Sequence, residues 1–181
     1  MNAGALRRAI HASTASILLV ALWGDWQLLR LFSTGLFGVA VVVEMIRLHH
    51  EPFRAALAGS VPVFRPEESH RPSGALWLLA GYAGASWFPV PGPAAGILSA
   101  ALSDPAASAV GTRWGRGAAK SWIGTGAAGV VSAVVLVLLG LPWMAVLTGS
   151  MVNAALERWP GRLNDNLLMP PGVAAAVWLV T

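Results

Sequence analysis

Residues 122–141 read WIGTGAAGVVSAVVLVLLGL, twenty consecutive positions from Trp122 to Leu141 without one charged side chain. An α-helix needs roughly 20 apolar residues to cross the hydrocarbon core of a bilayer, because it rises about 1.5 Å per residue through a core about 30 Å thick. The run therefore reads as a transmembrane helix. Its small residues from Gly124 to Gly129 suit close helix packing, since lipid supplies no hydrophobic force between helices and short side chains let backbones approach.

Outward from this run the same pattern recurs over 9–23, 28–46, 74–88, 93–110, 142–156 and 167–180. Several of these segments fall short of roughly 20 residues, a mismatch that tilt and neighbouring helices absorb inside a bundle. The expected fold is all-α, a polytopic integral membrane bundle of six or seven transmembrane helices, with residues 1–181 as a single membrane domain. Pro89-Val90-Pro91-Gly92-Pro93 must end a helix, because proline lacks the N–H and disfavours helical geometry before it, so the third and fourth segments form a hairpin. The longest polar connection, at about 47–73, carries an amphipathic piece around 51–58 and is expected to lie at the cytoplasmic interface.

Composition agrees. Of 181 residues 56% are hydrophobic and 11% charged, with a mean hydropathy of +0.64, whereas a soluble domain carries about 25% charged residues. Cysteine is absent, which removes disulfide frameworks and thiolate metal sites. The net charge of +4 suits anionic headgroups or phosphates. Nucleic acid is excluded as a partner, because no basic run is interleaved with stacking aromatics. Arg7 and Arg8 precede an apolar stretch ending at Trp23, yet no small-x-small site leads into a polar mature region, so this reads as a retained first helix. With seven spans, Arg30 is the one basic residue on the far side and the other eleven of twelve share a face. The positive-inside rule makes that face cytoplasmic. Trp23, Trp26, Trp122, Trp143 and Trp159 suit the interfacial belt.

Three polar clusters interrupt this pattern. Ser103-Asp104-Pro105 lies in an apolar run, where an ionisable group costs about 2.5–3.5 kcal/mol unless it meets water, metal or a partner. A residue with a capping side chain before proline also reads as a helix start at Pro105. Next, Gly111 to Ser121 is glycine-rich and basic, with Arg113, Arg116 and Lys120 available to phosphates; Ala119 before Lys120 rules out a P-loop. Last, Glu157 to Asn166 sets Glu157 and Asp165, flanked by Asn164 and Asn166, around a Pro160-Gly161 turn, and offers hard oxygen ligands of the kind Mg²⁺ takes. His49-His50-Glu51 lacks the i, i+4 spacing of a helical zinc site and reads as surface.

Taken in order, these clusters resemble the polyprenol kinase family of CTP-dependent dolichol kinases, phytol kinases and the CTP-using diacylglycerol kinase, distantly similar to CDP-diacylglycerol synthases. The resemblance runs through Asp104-Pro105-Ala106-Ala107, Val110-Gly111, Gly115 or Gly117, and Lys120-Ser121-Trp122-Ile123-Gly124-Thr125. It continues in Glu157 to Pro160 and Asp165-Asn166 to Pro170. Upstream, Arg7-Arg8-Ala9-Ile10-His11, Glu44-x-x-Arg47-Leu48 and Arg65-x-Glu67 are also similar. Three departures stand out: Arg8 in place of the usual Lys, Asn164 in place of a common Asp, and Ile123 where many relatives carry Glu.

The resemblance implies a lipid-alcohol kinase that moves the γ-phosphate of CTP, or a related nucleotide, to the hydroxyl of an isoprenoid alcohol or diacylglycerol. Asp104, Lys120 and Asp165 are the implied catalytic residues. Arg8, His11, Arg113, Arg116, Ser121 and Asn166 are the implied nucleotide contacts, and Asp104, Glu157 and Asp165 the ligands of Mg²⁺ or another divalent cation. Phosphoryl transfer rests on positioning and charge neutralisation, which suits this inventory. The implied setting is a prokaryotic cytoplasmic membrane with the site on its cytoplasmic face, and a homo-oligomer is compatible with it. Two alternatives stay open: a CDP-diacylglycerol-synthase-like cytidylyltransferase, and a small non-catalytic transporter or scaffold in which Asp104 lines a polar pathway.

Overall fold

The computed structural model describes residues 3–60, 64, 66–115 and 120–181, of which 58–60, 66 and 67 by backbone alone. Every one of the seven apolar segments is helical, and no strand occurs among the described residues. Helix α1 (Ala3–Ser13) continues through a 3₁₀ turn, Thr14–Leu18, into α2 (Leu19–Trp23). There follow α3 (Trp26–His49), α4 (Glu51–Ser60), α5 (Gly74–Ser86), α6 (Gly92–Trp114), α7 (Trp122–Leu138), α8 (Trp143–Arg158) and α9 (Asp165–Trp178). Helix α4 coincides with the amphipathic piece read around 51–58.

Local chemistry sets the helix starts. Asp25 caps α3 by accepting the Leu28 N–H at 2.7 Å, Ser73 caps α5 through Leu76 N at 3.3 Å, and Ser121 caps α7 through Gly124 N at 3.1 Å. Asn164 caps α9 through Asn166 N at 3.0 Å. Each side chain satisfies an N–H that the first turn leaves without a partner. The proline-rich stretch stops α5 at Ser86 and releases the chain into α6 at Gly92.

The helix start read at Pro105 is corrected. Helix α6 runs unbroken from Gly92 to Trp114 with Pro105 inside it, so Asp104 stands in mid-helix rather than at a cap. The proline removes one hydrogen bond to the carbonyl of Ala101, and the packing of α6 against α7, α9 and α1 holds the helix through that loss.

Helices α6 and α9 form the centre: α9 packs on α5, α6 and α8, and α7 closes against α6 and α8. Leu29, Leu78, Tyr82, Ile97 and Met169 make one core cluster, and Leu136, Ala145, Val173 and Val177 a second. Close approach at the α6–α7 and α6–α9 crossings relies on glycine. A side chain at Gly124 would meet the Ala107 carbonyl at 2.9 Å, and one at Gly96 would fall on Pro170 and on Ala174 Cβ at 3.2 Å. Buried polar pairs tie α6 to α7 and to α8: Ser132 donates to Ser99 at 3.0 Å, and the Asn153 amide to Ser103 at 2.9 Å.

Two helical stretches, Ala3–Trp23 and Trp26–His49, are long and apolar enough to cross a membrane. Large apolar side chains face outward along the bundle, with Trp23 91% and Leu138 81% exposed. The seven rods alternate in direction, so the starts of α1, α5, α7 and α9 meet the ends of α3, α6 and α8. Arg7, Arg8 and Lys120 line a cavity at this end, and Arg47 reaches the carbonyls of Glu68 and Arg71 there. Arg30 lies at the opposite end, where it donates to the Ser86 carbonyl at 3.0 Å and sits 6.0 Å from the Trp87 ring.

Candidate active site

The three polar clusters of the sequence meet in one cavity of about 650 Å³. Helix α1 contributes Arg7, Arg8 and His11, α6 contributes Asp104 and Ser108, and the start of α7 contributes Lys120, Ser121 and Gly124. Glu157 comes from the last turn of α8, and Asn164, Asp165 and Asn166 from the first turn of α9.

Lys120 is the hub. Its ammonium lies 2.6 Å from Asp165 Oδ2 and 3.7 Å from Glu157 Oε1, and it donates to the Glu157 carbonyl oxygen. Glu157 is 6% exposed, and its second oxygen accepts the Thr125 hydroxyl at 2.7 Å. Burial of this carboxylate is tolerable because both oxygens have partners. Arg158 fixes the approach of the chain to Lys120 by donating to the Lys120 carbonyl, while its guanidinium lies 4.6 Å from the Trp122 ring. Trp122 in turn meets Trp159 edge to face at 5.4 Å.

Across the cavity, His11 Nδ1 stands 3.5 Å from Asp104 Oδ2. His11 Nε2 is buried without a hydrogen-bond partner among the described residues. Asp104 lines the cavity from mid-helix, without a break in α6.

Three helix starts converge on the same space: Ser73 and Gly74 of α5, Ser121 and Gly124 of α7, and Asn164 to Asn166 of α9 all line the cavity. Each start carries partial positive charge from unpaired N–H groups. Together with Arg7, Arg8 and Lys120 these starts offer places for an anion, set against the carboxylates of Glu68, Asp104, Glu157 and Asp165.

Not every residue singled out in the sequence is here. Arg113 is exposed and does not line the cavity; its guanidinium lies 5.3 Å from the ring of its neighbour Trp114. Arg116, Arg65 and the Glu67 side chain lie outside the described residues. Asp104, Glu157 and Asp165 share the cavity, but no group of three such side chains able to hold a metal ion occurs among the described residues. The reason is Lys120, whose charge sits between Glu157 and Asp165 where a cation would otherwise stand.

Sequence reading passed over the α5 wall of the cavity, made by Glu68, Ser73 and Gly74. Its signal was present as Ser73-Gly74 directly before an apolar run, a helix-start pattern. It also passed over the hydroxyl pair of Thr14 and Tyr82 at 2.7 Å, which links the first helical rod to α5. No family model, curated protein or solved structure matches this chain.

Proposed function

We propose that this chain is an integral membrane kinase of lipid alcohols that uses CTP or a related nucleoside triphosphate. The observation that carries the reading is the cavity in which Lys120, Arg7, Arg8 and three helix starts face Glu68, Asp104, Glu157 and Asp165. Cations and helix starts are what a triphosphate requires, and a carboxylate across from them is what an attacking hydroxyl requires. Membrane embedding is supported by the two long apolar helices and by the outward apolar side chains. A soluble protein rarely exposes such a continuous apolar surface. A cleaved leader is disfavoured because Ile17 belongs to the core and His11 to the cavity wall.

In the proposed reaction the lipid hydroxyl oxygen attacks the γ-phosphorus, the bond from that phosphorus to the bridging oxygen breaks, and the nucleoside diphosphate leaves with the electron pair. The hydroxyl proton passes to the Asp104 carboxylate and from there to water. Lys120, Arg7 and Arg8 offset the charge of the triphosphate, while Ser121 and Asn166 orient it from the starts of α7 and α9. A divalent cation on the phosphates would find its protein ligand in Asp104 or Asp165 and would supply further charge neutralisation.

The test uses purified protein in lipid nanodiscs with γ-labelled CTP, Mg²⁺ and a panel of phytol, polyprenols and diacylglycerol. Label in the lipid is expected. Label released as pyrophosphate assigns a cytidylyltransferase instead, and absence of nucleotide binding and turnover sinks both in favour of a transporter or scaffold.

A further inference from the structure

Helix α3 ends in a buried ion pair that the proposed chemistry does not use. Glu44 and Arg47 stand one turn apart, 6% and 2% exposed, and the guanidinium donates Nε–H and Nη2–H to the two carboxylate oxygens at 3.0 and 2.7 Å. Such a pair adds little stability over apolar residues of the same size, because desolvating both charges offsets their attraction. A reason for its presence lies in what else it holds.

Arg47 donates Nη1–H to the Glu68 carbonyl at 2.8 Å and Nη2–H to the Arg71 carbonyl at 2.7 Å. Glu44 accepts the Ser73 backbone N–H at 2.5 Å and the Ser73 hydroxyl at 3.4 Å. The guanidinium also lies 5.1 Å from the Phe64 ring. The pair thus grips the polar connection at Phe64, Glu68, Arg71 and Ser73, and the Glu68 side chain accepts the Gly74 N–H at 2.9 Å. Gly74 in turn accepts the Asn166 side-chain amide at 3.4 Å, which joins the start of α5 to the start of α9. Phe64, Glu68, Ser73 and Gly74 line the cavity, whereas Glu44 and Arg47 do not.

We propose that Glu44 and Arg47 are positioning residues for a nucleoside triphosphate: they set the wall from Phe64 to Gly74 and with it the spacing between the α5 and α9 helix starts. The inference rests on the nucleotide reading of the cavity. Arginine is required rather than any cation, because its planar fork serves one carboxylate and two carbonyls at once, which the single ammonium of lysine cannot do. The pair touches no substrate, so its loss changes affinity and leaves the chemical step alone.

Two variants test this in the full chain in nanodiscs: Arg47→Lys, and the double variant Glu44→Gln with Arg47→Met, which removes both charges together so that neither is left buried alone. Hydrogen exchange without nucleotide is expected to quicken about tenfold or more across 68–76 in both variants, with α7 and α9 unchanged. With nucleotide, KM for CTP is expected to rise about tenfold while kcat stays within about twofold. Unchanged exchange across 68–76 overturns the inference, as does quickened exchange with an unchanged KM. Loosening of the whole bundle in both variants also overturns it, by making the pair structural only. If the wild-type protein neither binds nor turns over nucleotide, the nucleotide reading fails, and this inference with it. Nucleotide turnover by the wild type with unaltered KM in the variants defeats the inference alone.

Discussion

Asp104 is the residue on which the proposed chemistry is most exposed. It sits in the middle of α6 with His11 3.5 Å away, facing a cavity that spares it the cost of lipid. Asp104→Asn keeps the size and removes the charge, so lipid phosphorylation should fall by at least about a hundredfold, the scale of a lost general base or metal ligand. Circular dichroism and thermal unfolding should stay near wild type, and near-normal turnover would remove Asp104 from the mechanism. The two arginines put forward from the sequence now separate. Arg8 lines the cavity and Arg113 does not, so Arg8→Ala should raise KM for nucleotide about tenfold, the scale of one lost charge-assisted contact. Arg113→Ala should leave it within about threefold, because an exposed charge is screened by solvent and salt. Equal effects of the two would mean that the nucleotide approaches from outside the cavity. Metal dependence belongs to this scale as well. With Lys120 already between Glu157 and Asp165, no cation site of three carboxylates occurs among the described residues, so metal should bind through nucleotide. Excess chelator should stop turnover, and calorimetry should show Mg²⁺ binding only when nucleotide is present.

Among the elements, α5 and α9 show how the prolines of the sequence serve packing. Pro170 and Pro171 stand inside α9 and leave the carbonyls of Asn166 and Leu167 without their usual helical donors. Those carbonyls face Gly81 of α5, where an added Cβ would meet Pro170 Cγ at 2.9 Å and the Leu167 oxygen at 3.2 Å. Gly81→Ala should therefore push the two helices apart and cost about 1–3 kcal/mol of stability. Gly126→Ala is the control: nothing lies within 4 Å of its added Cβ, and alanine should gain about 0.5–1 kcal/mol over glycine in a helix. Reversal of this order in steady denaturant unfolding would show that the α5–α9 contact is looser than described. The elements themselves were largely legible. Apolar runs with at most two charged residues marked the seven rods, and the prolines from Pro89 to Pro93 marked the gap before α6. Pro105 misled, because its local preference for a helix start was overridden by packing on three sides of α6. The cavity was legible only as separate motifs. Asp104, Lys120 and Asp165 announced themselves as charges in apolar surroundings, but nothing in their spacing showed that Lys120 would occupy the place given to a metal. The α5 wall was marked only by the helix-start pattern of Ser73-Gly74, because its hold on Glu44 and Arg47 runs largely through backbone groups whose partners a sequence does not show.

At the scale of the whole molecule, one asymmetry organises everything. The starts of α5, α7 and α9 and the end of α8 meet around the cavity, while Arg30 sits at the opposite end against Ser86. An even number of rods, four, separates Arg7 and Arg8 from Lys120, and because each rod reverses the chain both finish at the same end. In a membrane, basic side chains near span ends are retained on the cytoplasmic side, and the cytoplasm is also where nucleotide triphosphates are held. The orientation favoured by charge and the orientation needed by the proposed reaction are therefore the same, although they rest on different physics. The chain has no cysteine, so single cysteines report sidedness without background. Arg71→Cys and Arg162→Cys, both at exposed positions on the cavity end, should react with a membrane-impermeant maleimide only after the cells are permeabilised. Gln27→Cys, exposed at the start of α3, and Thr181→Cys should react from outside. Labelling of Arg71→Cys and Gln27→Cys from the same side would mean that α3 does not cross the bilayer. Labelling of Arg71→Cys and Arg162→Cys from outside, with Gln27→Cys protected, would place the cavity in a compartment without nucleotide and end the kinase reading while leaving the fold intact.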